Sequence, residues 1–222
     1  MITENRLREA TPSNVFTNPT FIDIGGLNNA RYRDLLFCDL TEYKNATIEK
    51  AVLALFWYYP VGSERLEDTI IEVYRPASAW DTNYVSWNKR TQDTLWANPG
   101  GDWVDKIGIE QGNTPFASIT ISGKQIPDNK YYELDVTELI NGYVNNGYEN
   151  TGFLLKAKYE DSNYIAFSSM KIEGKQPRLT VTTKTDNDAD LIIPCESEGE
   201  ARKIKTEIEG IVSKVEIYLK VE

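Results

Sequence analysis

Ala51-Val52-Leu53-Ala54-Leu55-Phe56-Trp57-Tyr58 is apolar from end to end. Its length suits a strand, and the lack of alternation suits a central strand covered on both faces. Outward from it, the chain up to about residue 183 is rich in short runs of β-branched and aromatic residues. Turn-forming clusters separate them, such as Asn28-Asn29, Pro60-Val61-Gly62-Ser63, Asn98-Pro99-Gly100-Gly101 and Pro127-Asp128-Asn129. The runs predict strands at 20–24, 34–38, 51–58, 69–75, 117–122, 131–136, 152–159, 164–168 and 178–183. In the last of these, Leu179 and Val181 alternate with polar residues and should face inward. So many short strands predict an all-β chain folded as a two-sheet sandwich.

One helix interrupts the pattern. Val136, Leu139, Ile140, Tyr143 and Val144 recur at helical spacing, and Asp135 with Glu138 reads as a capping box. Gly142 and Gly147 limit its length, and it is expected to plug one end of the sandwich. Composition changes near Thr185. Asp186-Asn187-Asp188-Ala189-Asp190 begins like a calcium-binding EF-hand loop, but Leu191 stands where that loop needs Gly and Ser197 where it needs Glu. A solvated linker fits better. Ser197 with Glu200 then precedes the helical stripe Ala201, Ile204, Ile208 and Ile211, and 215–221 alternates like a strand. Two domains are therefore expected: residues 1–184 as the sandwich, and 185–222 as a small strand-helix-strand appendage too short to be stable alone. The chain shows no internal repeat.

Composition removes several classes of function. A net charge of −10 opposes non-specific nucleic-acid binding, which needs a basic face, while leaving room for a local basic patch. No apolar run reaches the ~20 residues of a membrane-spanning helix, so no membrane insertion is expected. Histidine is absent, which removes the usual general base, Ser-His-Asp and Cys-His arrangements, and His-ligated zinc or iron. Of the two cysteines, Cys38 sits in an apolar run and reads as a buried free thiol, with Cys195 far away in the C-terminal segment. No phosphate-binding loop or nucleophile elbow is present. With 34 acidic residues some carboxylate pair always qualifies for glycoside hydrolysis, and no spacing singles one out. No catalytic residue is assigned.

One ordered set of segments is more specific. It begins with Asn5-Arg6-Leu7-Arg8-Glu9-Ala10-Thr11-Pro12, and continues with Arg33-Asp34-Leu35-Leu36-Phe37-Cys38-Asp39-Leu40 and Ile48-Glu49-Lys50-Ala51-Val52-Leu53. Trp80, Val85-Ser86-Trp87-Asn88, Leu134-Asp135-Val136-Thr137 and Gly152-Phe153-Leu154-Leu155 follow. Over residues 4 to 183 this set resembles the DNRLRE domain, the disaggregatase-related repeat of methanogenic archaea, itself related to carbohydrate-binding modules. The family motif begins with Asp where this chain has Glu4, which counts against a metal role there. The resemblance implies a jelly roll, an extracellular or cell-surface location, and attachment to other domains of a larger surface protein. Met1 is then expected to begin a piece of a longer chain. The implied function is non-catalytic binding of an acidic cell-envelope polysaccharide. A structural or adhesion module for protein partners is one alternative, and a glycan-cleaving lyase or hydrolase is another.

Candidate ligand residues follow from what a uronic-acid polymer would need. Sugar rings stack their C–H faces on flat aromatics. Of the five tryptophans, Trp57, Trp80 and Trp87 read as framework, whereas Trp96 and Trp103 lie in a Gly/Pro/Asp-rich loop from 89 to 105 and are expected to form an exposed platform. Carboxylates on the polymer call for Arg or Lys: Arg75, Lys89, Arg90, Lys156 and Lys158 are the leading candidates, beside Arg6, Arg8, Arg31 and Arg33, of which Arg6 and Arg33 are alternatively structural partners of Asp34 or Glu9. Lys156 and Lys158 alternate with Leu155 and Ala157, so they should project together from one solvated face. The jelly-roll resemblance also implies a structural Ca²⁺, for which Asp81, Asn83 and Asp102 are the candidate ligands. No organic cofactor is expected.

Overall fold

Strand-forming sequence dominates from the first residues onward, and the computed structural model, which describes residues 2–60, 65 and 67–184, resolves it into twelve strands. They are β1 (Ile2–Arg8), β2 (Phe16–Thr17), β3 (Phe21–Leu27), β4 (Ala30–Cys38), β5 (Ile48–Tyr59) and β6 (Thr69–Pro76). Then come β7 (Trp103–Val104), β8 (Ala117–Ile121), β9 (Tyr131–Asp135), β10 (Phe153–Ala157), β11 (Ile165–Ser168) and β12 (Arg178–Thr183). Each of the nine strands expected from sequence is present. The expected 185–222 appendage, with Cys195, lies outside the described residues.

All pairings with a resolved register are antiparallel, and the strands form two layers. In the first layer β4 pairs with β10, β10 with β6, and β6 with β8, while β1 borders β4 on its other side. In the second, β3 pairs with β11, β11 with β5, and β5 with β9; β12 also lies beside β5. Among the eight principal strands (β3, β4, β5, β6, β8, β9, β10, β11), the second layer holds the first, eighth, third and sixth in spatial order. The first layer holds the second, seventh, fourth and fifth. That alternation between layers is the jelly roll. β3 joins the layers, because Gly25–Leu27 pair with β4 while Phe21–Ile24 pair with β11. The β3–β4 hairpin turns on Asn28 and Asn29, both at positive φ (52° and 61°), which Asn tolerates.

The inward faces of both layers supply one apolar core, centred on Leu36, Leu53, Leu55, Trp57, Phe153 and Phe167. Leu179 and Val181 pack against it, as their alternation requires. Cys38 is buried beside it and free, and burial pushes its thiol up to about 12. β5 corrects one expectation. It is central, but only its Leu53, Leu55 and Trp57 side is in the core. Its other side is covered only in part, with Ala54 and Phe56 buried, Val52 half-buried and Tyr58 exposed.

The helix α1 (Thr137–Val144) inserts Leu139 and Ile140 into the core. Its cap differs from the expected box. Asp135 Oδ1 instead accepts from the Thr137 amide (3.0 Å) and hydroxyl (2.6 Å), and Glu138 forms an ion pair with Lys106. A second apolar cluster lies on the opposite side of the first layer. There residues 77–116 fold back over the sheet and bring Val85, Trp87 and Trp96 onto Leu7, Leu35 and Leu154. Gly100 turns this segment at φ +93°, where a Cβ would stand 2.7 Å from the Trp87 ring, so only glycine fits.

β1 is the longest of the three strands that residue pattern alone concealed, β2 and β7 being the others, because its Glu4-Asn5-Arg6-Leu7-Arg8 run looks solvated. Pairing Arg6 with Asp34 and Leu7 with Arg33 across β4 buries this run. Glu4 and Asn5 are fully buried, and Arg6 Nε sits 2.6 Å from Asp23 Oδ2.

Candidate functional site

The residues expected to contact ligand do not form one site. Trp96 is 4% exposed, and its Nε1 donates to the Ser86 carbonyl at 3.0 Å. It is a core residue of the second cluster, because the loop folds inward to cover the outer face of the first layer. Trp103 is half-buried in β7, its Nε1 donating to the Gly112 carbonyl at 2.8 Å. Its ring lies against Tyr74 (5.5 Å between centroids) and faces the Arg33 guanidinium and Lys156 ammonium at 5.3 and 5.4 Å. The expected aromatic platform is therefore filled by the chain's own side chains.

The basic candidates disperse. Lys156 is buried, with Nζ 2.8 Å from the Ala157 carbonyl and 3.5 Å from Glu72 Oε2, whereas Lys158 is exposed with its Nζ 5.5 Å from the Tyr159 ring. The pair does not share a solvated face. Burial lowers the Lys156 pKa, and Glu160 and Glu72 oppose that shift. Arg75 lies on β6, which does neighbour β10, but it shares the face of Ile71 and Val73 rather than that of Glu72, which pairs with Lys156. Its guanidinium packs 4.8 Å from the Tyr148 ring. Lys89 and Arg90 brace their own loop, donating to the carbonyls of Gln92 (3.2 Å) and Ala79 (2.9 Å).

The carboxylates suggested for calcium serve loop structure. Asp81 Oδ1 accepts from the Asn83 amide at 2.8 Å. Asp102 uses both oxygens on the amides of Ala97 (2.7 Å) and Asn98 (2.8 Å). Among the described residues no three acidic or cysteine side chains cluster as metal ligands. Asp81, Asn83 and Asp102 do not fit a shared calcium site.

The buried charges form two structural networks. Arg33 grips Glu160 with two bonds of 2.7 Å and donates a third to the Gly100 carbonyl, between the rings of Trp87 and Trp103. On the inner side, Glu4, Asp23 and Asp34 lie close enough to couple. Burial lifts Glu4 to about 7, with the Met170 amide opposing. Burial raises Asp23 and Asp34 too, and the negative charge of Glu4 adds to the rise at Asp34.

The open face of the second layer carries the arrangement that the sequence reading missed. A groove of about 340 Å³ crosses β9, β5 and β12. Val52 and Ala54 of β5 form its floor. Lys50, Arg178, Thr180 and Thr182 supply polar walls, with Tyr131 and Glu133 from β9. Tyr131 is pinned through its hydroxyl, which lies 3.2 Å from both the Gly174 and Gln176 carbonyls and donates to this pair of acceptors with its one hydrogen, and its ring holds the Arg178 guanidinium at 4.4 Å. Lys175 lies nearby over the Phe56 ring at 4.7 Å, and Phe56 packs edge-on against Tyr131. None of Lys50, Lys175 or Arg178 makes an ion pair among the described residues. One signal was available: with Leu179 and Val181 inward, Arg178, Thr180 and Thr182 must share the outer face.

No curated protein matches this sequence. Residues 4–183 match the disaggregatase related repeat domain, most of the chain and all of the sandwich from Glu4 onward. The strand order, the buried motif of β1 and this match agree: the chain belongs to the disaggregatase-related repeat domain family.

Proposed function

We propose that this domain binds a uronate-bearing polysaccharide outside the cell or on its surface, along the groove across β9, β5 and β12, and that it anchors a larger surface protein to that matrix. The observation that carries this reading is the convergence of Lys50 and Arg178, without carboxylate partners among the described residues, on one open apolar-floored groove. A guanidinium stacked on a pinned ring keeps its planar fork free for a carboxylate, and that geometry favours bidentate pairing. The small floor residues leave room for a sugar's C–H face, and Thr180 and Thr182 offer hydroxyls. Glu133 is the single carboxylate in the lining, whereas glycoside hydrolysis uses two, which supports binding over cleavage. Affinity per domain is expected to be weak, with avidity from repeated domains.

The test is affinity electrophoresis in gels containing polygalacturonate or a neutral glucan. Retardation by polygalacturonate alone is expected, unchanged by EDTA. The Lys50→Ala/Arg178→Ala variant should lose about tenfold in affinity, as two solvent-exposed ion pairs of about 0.7 kcal/mol each would imply. Free migration of the native chain, or undiminished retention of the variant, overturns the reading. Newly formed reducing ends or unsaturated products would make it an enzyme. A second reading, an adhesion module for a protein partner, is favoured by Leu95, Ile107 and Ile109, which are more than half exposed on the covering segment. Failure to bind any glycan would favour it.

A further inference from the structure

We infer that the domain carries a second, chemically different sugar site: a pocket on the outer face of the first layer that takes a neutral glycosyl unit. The pocket measures about 340 Å³ and is formed where β1 and β4 meet the start of the covering segment. That is near the lower end of the ~300–1,000 Å³ usual for small-ligand sites, room for one or two rings. Trp80 and Phe37 give it aromatic walls, and Asp81, Thr3, Thr82 and Asn150 give it polar ones.

The walls are held in place by the framework. Trp80 Nε1 donates to the Thr151 carbonyl at 3.0 Å, which fixes the indole. Buried Asn5 clamps Thr82 from below: its amide donates to the Thr82 carbonyl at 2.9 Å and its Oδ1 accepts from the Thr82 hydroxyl at 2.6 Å. Asn150 donates to the Cys38 carbonyl at 2.8 Å. Asp81 commits one oxygen to the Asn83 amide, and the other has no protein partner among the described residues. Fixed aromatics beside a carboxylate oxygen match a ring with an apolar face and a hydroxyl edge.

Charge selects among sugars. No Lys or Arg lines this pocket, and Asp81 repels a uronate, so the ligand is neutral. The groove has the opposite bias, with Lys50 and Arg178 in its walls. Phe37 and Thr3 lie on the outer face of the first layer, and the groove on the outer face of the second. The two ligands therefore bind independently, and one domain can bridge two glycan chains or two regions of a mixed one.

The test follows the indole N–H resonances of the ¹⁵N-labelled chain during titration with methyl glycosides of neutral hexoses and with galacturonate, at millimolar concentration. A neutral glycoside should shift the Trp80 signal while galacturonate does not. Ala79→Trp, at an exposed lining position, should fill the pocket and abolish the shift, with Trp57, Trp87 and Trp96 signals reporting an intact fold. Asp81→Asn keeps the turn oxygen and should narrow the preference for neutral over acidic sugars. Arg178→Ala should leave the Trp80 response unchanged. The inference falls if no neutral glycoside shifts Trp80, if the shift survives Ala79→Trp, if galacturonate acts equally, or if Arg178→Ala removes the response. Polygalacturonate retention reads the groove separately, so either site can fail alone.

Discussion

Glu4 shows what the motif residues do. Its Oε1 accepts from the Met170 amide at 3.0 Å, while Oε2 is buried without a hydrogen-bond partner, as is Oδ1 of Asp34. An ionised carboxylate is costly there, so burial favours the protonated form. Glu4 titrates near 7 in the folded chain against 4.5 ordinarily. A raised carboxyl pKa stabilises the fold below the unfolded value, and that contribution is lost as pH rises through the folded one. Stability is therefore expected to fall between about pH 4.5 and 7, by about 3 kcal/mol from Glu4 at ~1.4 kcal/mol per unit. Thermal melts across pH 4 to 8 would check this, and Glu4→Gln, which keeps an acceptor for Met170, should flatten the profile. A melting temperature independent of pH would refute it. Arg33 makes a second residue-scale case. Arg33→Ala leaves Glu160, 9% exposed in the pair, without its partner in a mostly buried site, and should cost about 3–5 kcal/mol in denaturant unfolding. Arg33→Lys should recover little of this, because an ammonium cannot make the two-pronged contact or stack on Trp87.

At the scale of elements, the 77–116 segment is a structural cover packed on the outer face of the first layer. Asp102 and Asp105 organise it from within. Burial works to raise the Asp105 carboxyl, but amides of Ile109, Thr114 and Ile107 outweigh it and hold the pKa low. Trp96 is the anchor: Trp96→Ala should destabilise by about 3–5 kcal/mol, as for other buried aromatics. Lys89→Ala, an exposed side chain bridged to Leu95 only through its backbone, should stay within about 0.5 kcal/mol. Equal effects in chemical denaturation would mean that the segment does not pack as described. β12 makes the complementary case. Its alternation sends Leu179 and Val181 to the core and Arg178, Thr180 and Thr182 to the groove, so one short strand lines both the core and the proposed binding face.

For the whole molecule, the decisive quantity is how charge is distributed. The chain carries −10 overall, yet the groove wall holds Lys50 and Arg178 against one Glu133. A long anionic polymer would meet general repulsion and local attraction together. Retention by polygalacturonate is thus expected to weaken as salt shortens the screening length from about 10 Å at 0.1 M to about 3 Å at 1 M. Retention that persists at 1 M would point to uncharged contacts instead. Sequence alone determined nine of the twelve strands, the inward face of β12, the buried Cys38 and the exclusion of histidine chemistry. These follow from local pattern and composition, since side-chain period and turn preference are set within a few residues. Tertiary structure decided which charges are buried and which stay open. Arg33 meets Glu160 across 127 positions, and the groove draws on residues near 50, 131 and 178. Period-two alternation places Lys156 and Arg178 on faces but cannot say what covers each face, and loop composition cannot say which way Trp96 turns. Only the folding of 77–116 over one sheet, and the exposure of the other, settled that.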